Sequence, residues 1–236
     1  MLGIVGGIAP GSTIEYYRRF IEGYRARTGG AYPSFLITSI DLPHMLSLVE
    51  ANNRSEAVAF LGGEVKRLAT AGADVALFAS NTPHLFFREI QAVSPIPLIS
   101  IVEAVKSAAK ARGLRRLGLL GTRFIMESGM YQQVFAESAI EVVTPQAADI
   151  ESIHARYMSE LVVARFEEPT RRLFRDVIKR LRVGKQIDGV ILGGTEIPLL
   201  IPDASFNGLP LLDTTQIHVD RAIDVVLQGA ARGEEA

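Results

Sequence analysis

The chain contains no cysteine and no tryptophan. The first absence excludes disulfides, thiolate metal sites and every mechanism that needs a thiol. Histidine is scarce as well. His44, His84, His154 and His218 are the only four, and none stands at HExxH or a similar spacing, so no metal site is expected. No apolar run approaches the ~18 residues of a membrane helix, and no membrane partner is expected. Neither sign of charge dominates: 25 basic and 26 acidic residues leave a net charge of -1 over 236 residues. Phosphate backbones call for a basic excess, so nucleic acid is not an expected partner. The chain opens on the strand-like Met1–Gly7 rather than on a basic segment with an apolar core behind it. No secretion signal is therefore expected, and the cytoplasm is the expected compartment.

What is present is ordinary globular composition, 48% hydrophobic and 22% charged, at a length that suits one or two domains. Short, continuous, β-branched-rich runs occur at Met1–Gly7, Ser34–Ile40, Asp74–Ser80, Pro97–Val102, Leu117–Gly121, Glu141–Val143, Asp188–Gly193 and Leu209–Asp213. That is the pattern of strands buried on both faces of a parallel sheet. Helical patterns lie between them, at about 12–28, 53–71, 84–92, 103–112, 127–138, 148–164, 169–183 and 215–230. The alternation predicts an α/β fold with mainly parallel sheets. Ser12 or Thr13 is the expected N-cap of the first helix, with Glu15 completing a capping box.

The chain also repeats itself. Leu2–Gly7 resembles Leu117–Thr122, Ala76–Thr82 resembles Val190–Glu196, and Ile96–Ile99 resembles Leu209–Leu212, at offsets of 115, 114 and 113. Matches in order with a slowly drifting offset point to two pseudo-symmetric α/β halves. A site is then expected in the cleft between the halves, at the carboxyl ends of matching strands. The expected domains are residues 1–97 plus 209–236, and residues 98–208.

The matched strand ends carry the candidate chemistry. One pair of ends is Gly6–Thr13 and Gly121–Arg123, each opening a helix. Neither forms a dinucleotide fingerprint or a P-loop, so no nucleotide cofactor is expected. The other pair is Ser80-Asn81-Thr82-Pro83-His84 and Gly193-Gly194-Thr195-Glu196. Asn81, Thr82, Thr195 and Glu196 supply donors and acceptors there, although helix capping alone would also explain a threonine at either place.

These segments resemble the aspartate/glutamate racemase superfamily. The resemblance rests on Gly-Gly-x-x-Pro at Gly6–Pro10, Ala-Gly-Ala-Asp at Ala71–Asp74, Asn-Thr-x-His at Asn81–His84, Leu-Gly-Thr at Leu120–Thr122 and Gly-x-Thr-Glu at Gly193–Glu196. It implies two pseudo-symmetric α/β domains and a cofactor-independent isomerase with a small carboxylate substrate. It leaves a homodimer open as the assembly. It also implies that Asn81, Thr82, Thr122 and Thr195 bind the substrate carboxylate and that Arg54 meets a distal one. Such racemases carry two cysteines, one removing the α-proton and the other returning a proton on the opposite face. Here those positions hold Ser80 and Gly194. A serine hydroxyl is a poor base unless a neighbour activates it, and glycine has no side chain.

Ser80, Glu196 and His84 are therefore the candidates for the chemistry. The expected activity is formation or quenching of a carbanion beside a carboxylate of a small amino or dicarboxylic acid. The alternatives are a lyase or decarboxylase with a single proton donor, or a non-catalytic carboxylate-binding protein. Cysteines placed together at 80 and 194 are expected to confer proton exchange.

Overall fold

A computed structural model of the chain describes residues 1–234. They divide into two compact units: Met1–Ser100 with the helix from Thr215 onward, and Ile101–Thr214.

The first unit runs β1 (Leu2–Gly6), α1 (Pro10–Arg27), β2 (Phe35–Ser39), α2 (Leu42–Glu50), α3 (Arg54–Thr70), β3 (Val75–Phe78) and α4 (Phe87–Val93). Its sheet is parallel, in the order β2-β1-β3. β1 is central and buried at every position, which is why it reads as an unbroken apolar run. Residues 97–99 extend the sheet beside β3. Ala76 N–H donates to Pro97 O and Ile99 N–H donates to Ala76 O, with a single bridge at Leu98. The expected strand Pro97–Val102 is cut short because the next helix begins at Ile101.

The second unit runs α5 (Ile101–Ala111), β4 (Arg116–Leu120), α6 (Arg123–Glu127), α7 (Met130–Ala136), β5 (Glu141–Val143), α8 (Ala147–Ser159), α9 (Glu168–Lys185), β6 (Gly189–Leu192), α10 (Ile197–Leu200), β7 (Ser205–Phe206) and β8 (Leu209–Asp213). Its sheet has the order β5-β4-β6-β8-β7, parallel except for the β7–β8 pair. That pair is a hairpin whose turn, Asn207-Gly208, has positive φ at both residues, as a primed turn requires. α11 (Thr214–Glu234) then packs on the first unit.

The two sheets repeat one another: β2-β1-β3 followed by residues 97–99 has the same order as β5-β4-β6-β8. The sequence predicts Leu209–Asp213 in the first domain. Its strand instead pairs with β6 through Val190↔Leu211 and Ile191↔Leu212, inside the second unit. The repeat already matched Leu209–Leu212 to Ile96–Ile99, the closing edge of the first unit, and the strand follows that match.

Two helix starts also differ from expectation. α1 begins at Pro10 with Ala9 as N-cap and no side-chain cap. Proline suits the first turn because its missing N–H has no intrahelical partner to lose. Ser12 and Thr13 thus lie inside the helix, and Glu15 pairs with Arg18 and Arg19 instead. α2 fills a stretch, Leu42–Glu50, for which the sequence predicts no helix. The Asp41 side chain accepts from His44 N–H at 3.0 Å and caps a helix that tolerates Pro43 in its first turn.

The first unit's core gathers Leu2, Ile4, Tyr16, Phe20, Leu77, Val219, Ala222 and Ile223. Tyr16 and Phe20 stand at helical spacing on α1, and Val219, Ala222 and Ile223 at the same spacing on α11. Among the described residues no helix is long and apolar enough to cross a membrane.

Candidate active site

In each unit the candidate residues follow two neighbouring strands. β1 and β3 are adjacent, so the loops that leave them lie side by side. Gly7, with φ +88°, turns the first loop. A Cβ there would stand 2.7 Å from Ile40 N and 2.8 Å from Ile40 O, so only glycine fits this approach to the end of β2. Gly7 N–H donates to Thr13 Oγ1 at 2.8 Å, which ties the loop to α1.

Ser80, Asn81, Thr82 and His84 follow β3, and all four are buried. Residues 82–86 form a 3-10 turn, with His84 N–H donating to Asn81 O at 3.0 Å. The His84 ring lies 3.1 Å from Ser80 O through Nδ1 and stacks on Phe87 at 5.1 Å. Edge-on to His84, at 5.9 Å, is His218 from α11. Its Nε2 donates to Ile99 O at 2.9 Å, which leaves Nδ1 to accept from the Tyr16 hydroxyl at 2.8 Å. Burial first, and then the neighbouring His218, pushes His84 down to about 3. Burial pushes His218 down to about 4. Burial thus keeps both rings neutral near pH 7, with His84 against the Ser80 carbonyl and His218 against His84.

Arg54, at the start of α3, reaches the same turn. Its guanidinium pairs with Glu89, donates to Leu85 O at 3.3 Å and lies 5.1 Å from the Phe86 ring centroid. The side chain is half exposed and its charge is already matched.

In the second unit β4 and β6 are adjacent, and Gly193 N–H donates to Leu120 O at 2.6 Å, which draws their ends together. Thr122 follows β4. Its Oγ1 is buried and has no hydrogen-bond partner. Arg123 N–H next to it approaches His154 Nδ1 on α8 at 3.4 Å.

Gly194, Thr195 and Glu196 follow β6. Thr195 is 2% and Glu196 4% exposed. The Thr195 hydroxyl donates to Glu196 Oε2 at 3.2 Å. The same oxygen accepts from the hydroxyl of Tyr157, one turn along α8 from His154. Tyr157 fills the space in front of Gly194: a Cβ at 194 would stand 2.8 Å from the tyrosine Cζ and nearer still to its hydroxyl. Burial, reinforced by the charge of Glu196, holds Tyr157 well above the usual phenol range, so the hydroxyl keeps its proton.

Sequence reasoning missed Tyr157. Ile150, Ile153 and Tyr157 lie on one face of α8, and that spacing reads as core. The available signal was indirect: a glycine at a position where the resemblance implies a side chain needs something else to fill the volume. Among the described residues no three histidine or carboxylate side chains gather as a metal site would require.

The Asp/Glu/hydantoin racemase family model matches residues 5–222. The crystal structure of a provisionally assigned Asp/Glu racemase from Yersinia pestis is 34% identical, with a TM-score of 0.86 over 96% of this chain and 98% of that one. An aspartate racemase homologue from Pyrococcus horikoshii is 32% identical, with a TM-score of 0.78 over 95% and 97%. The broad-specificity amino-acid racemase RacX of Bacillus subtilis is 28% identical over 149 residues, which is 61% of this chain and 63% of that protein. The chain spans about three fifths of the length of the curated relatives it matches. With the strand-end motifs in place and the family match running from the first strand into the last helix, the chain belongs to the Asp/Glu/hydantoin racemase family, as a member without cysteine.

Proposed function

We propose that the protein is a cofactor-independent enzyme of the isomerase type that moves a proton at the carbon beside a carboxylate of a small amino or dicarboxylic acid. Asn81, Thr82, Thr122 and Thr195 are the carboxylate donors in this reading. Neutral donors stabilise the negative charge of an enediolate as it develops, without trapping the substrate in a salt bridge.

The observation that carries the reading is the Thr122 hydroxyl, buried with no partner in the free protein. An unpaired buried hydroxyl costs free energy that a bound carboxylate oxygen would recover. In this reading Ser80 is a weak donor only; among the described residues no base is hydrogen-bonded to its hydroxyl. His84, buried and neutral, supports the Ser80 segment. Arg54 braces the turn at 82–86 and is the cation available to a second carboxylate if Glu89 releases it.

A second reading is favoured by one observation. Gly194 offers no side chain and Ser80 no activated base, so two-faced proton transfer lacks its usual groups. A decarboxylase needs one proton donor only.

Calorimetry with small amino acids and dicarboxylates tests the site. Thr122→Val with Thr195→Val should weaken binding by roughly 1–3 kcal/mol per buried donor lost. Unchanged affinity overturns the assignment. Deuterium incorporation at the α-carbon of recovered, still carboxylated acid identifies an isomerase-type enzyme, and carbon dioxide release a decarboxylase. Binding with neither identifies a carboxylate-binding protein.

A further inference from the structure

We propose that the Tyr157 hydroxyl, which occupies the space where a side chain at residue 194 would project and donates to Glu196, is the proton-transferring group of this site. The inference rests on the proposed carbanion chemistry and names the residue that performs it. Three contacts carry it. The ring stands so close to Gly194 that a side chain at 194 would have to displace it. The hydroxyl is hydrogen-bonded to a buried carboxylate oxygen, and Thr195 donates to that same oxygen and orients it. Tyr157, Thr195 and Glu196 are all almost fully buried, so these contacts form in a water-poor setting that strengthens hydrogen bonds between fixed partners.

The tyrosine keeps its proton in the resting state, so it acts as a relay. Tyr157 Oη takes the substrate α-proton while its own proton passes along the existing hydrogen bond to Glu196 Oε2. The C–H bond and the original phenol O–H bond break. A new phenol O–H and a carboxyl O–H form. The negative charge moves from Glu196 to the substrate enediolate. The reverse path delivers a proton from Tyr157 to the carbanion, with Glu196 reprotonating the phenol oxygen. The relay serves one face of the carbon: once the protons held by Tyr157 and Glu196 have exchanged with solvent, the return path delivers a solvent proton to that same face, with retention of configuration.

The test measures α-proton exchange of L- and D-aspartate and L- and D-glutamate in deuterated buffer by proton NMR, with chiral chromatography of the products and calorimetric affinities alongside. The natural protein should exchange at least one of these acids with retention. Tyr157→Phe should lower that exchange at least 100-fold while affinity changes less than threefold. Glu196→Gln should lower it similarly, and it tests the same relay should the phenylalanine variant fold poorly. Exchange as fast in both variants as in the natural protein would make Tyr157 a packing residue and overturn the inference, with the proposed function intact. Rapid racemisation by the natural protein would show a second base and overturn the one-faced relay. Binding without exchange overturns the relay and leaves a carboxylate-binding protein. Absence of both binding and exchange removes the proposed function and the relay with it.

Discussion

At position 194 a single hydrogen atom makes room for an aromatic ring. Gly194→Ala would push a methyl carbon into Tyr157. We expect a loss of ~1–3 kcal/mol from overpacking, measured by urea unfolding. In a Tyr157→Ala background the same change should cost about 0.5 kcal/mol or less, because the clash is gone and only non-interacting terms remain. Thr122 should behave in the opposite sense. Its buried hydroxyl has no partner, so Thr122→Val should stabilise the free protein by about 1 kcal/mol while weakening carboxylate binding. A variant that is destabilised and binds normally would contradict the role given to Thr122. Residue identity alone marked Thr122, Thr195 and Glu196 as polar groups at strand ends. It could not mark Tyr157, whose role depends on a contact 37 residues away along the chain.

Where elements meet, the buried histidines couple the 82–86 turn to α1 and α11 through Phe87, Tyr16 and Ile99. Both have folded values below the ordinary 6.5, at about 3 for His84 and about 4 for His218. Above pH 6.5 each ring is neutral folded and unfolded, and stability is unaffected. Below it the unfolded chain takes up protons that the folded one refuses. Stability should therefore fall with decreasing pH by up to ~1.4 kcal/mol per histidine per pH unit, down to about pH 4 for His218 and about pH 3 for His84. Urea midpoints between pH 7 and pH 4.5 check this, and His218→Gln should flatten the slope. At α2, Asp41→Ala should cost about 0.5–2 kcal/mol through loss of the cap. That helix escaped sequence reading because Pro43 is an ambiguous signal: it breaks a helix interior but is welcome in a first turn.

For the whole molecule, the position of Tyr157 changes what restoring a two-thiol arrangement requires. Ser80→Cys with Gly194→Cys was expected to confer proton exchange, but a cysteine at 194 meets the tyrosine ring. We therefore expect little gain from that pair and a gain once Tyr157→Ala is added. Chiral chromatography of aspartate and glutamate in deuterated buffer reads the result. Equal activity with and without the tyrosine would mean that the ring yields easily.

Residue types and spacing were enough for the α/β class, the mainly parallel sheets, the internal repeat and the family resemblance. These follow from local periodicity and from motifs that recur at a near-constant offset, which a linear chain displays directly. Three features waited for the folded molecule. The closing strand Leu209–Asp213 joined the second sheet because its hydrogen-bonding partner is β6, and pairing is decided between strands. The surroundings of His84, a candidate for acid–base work, came into view only in the fold: its ring is buried against the Ser80 carbonyl, and burial holds its pKa below the ordinary value. Tyr157 lies beside Gly194 because close packing fills the space that the glycine leaves open, and which side chain fills it is a property of α8 folded against the end of β6.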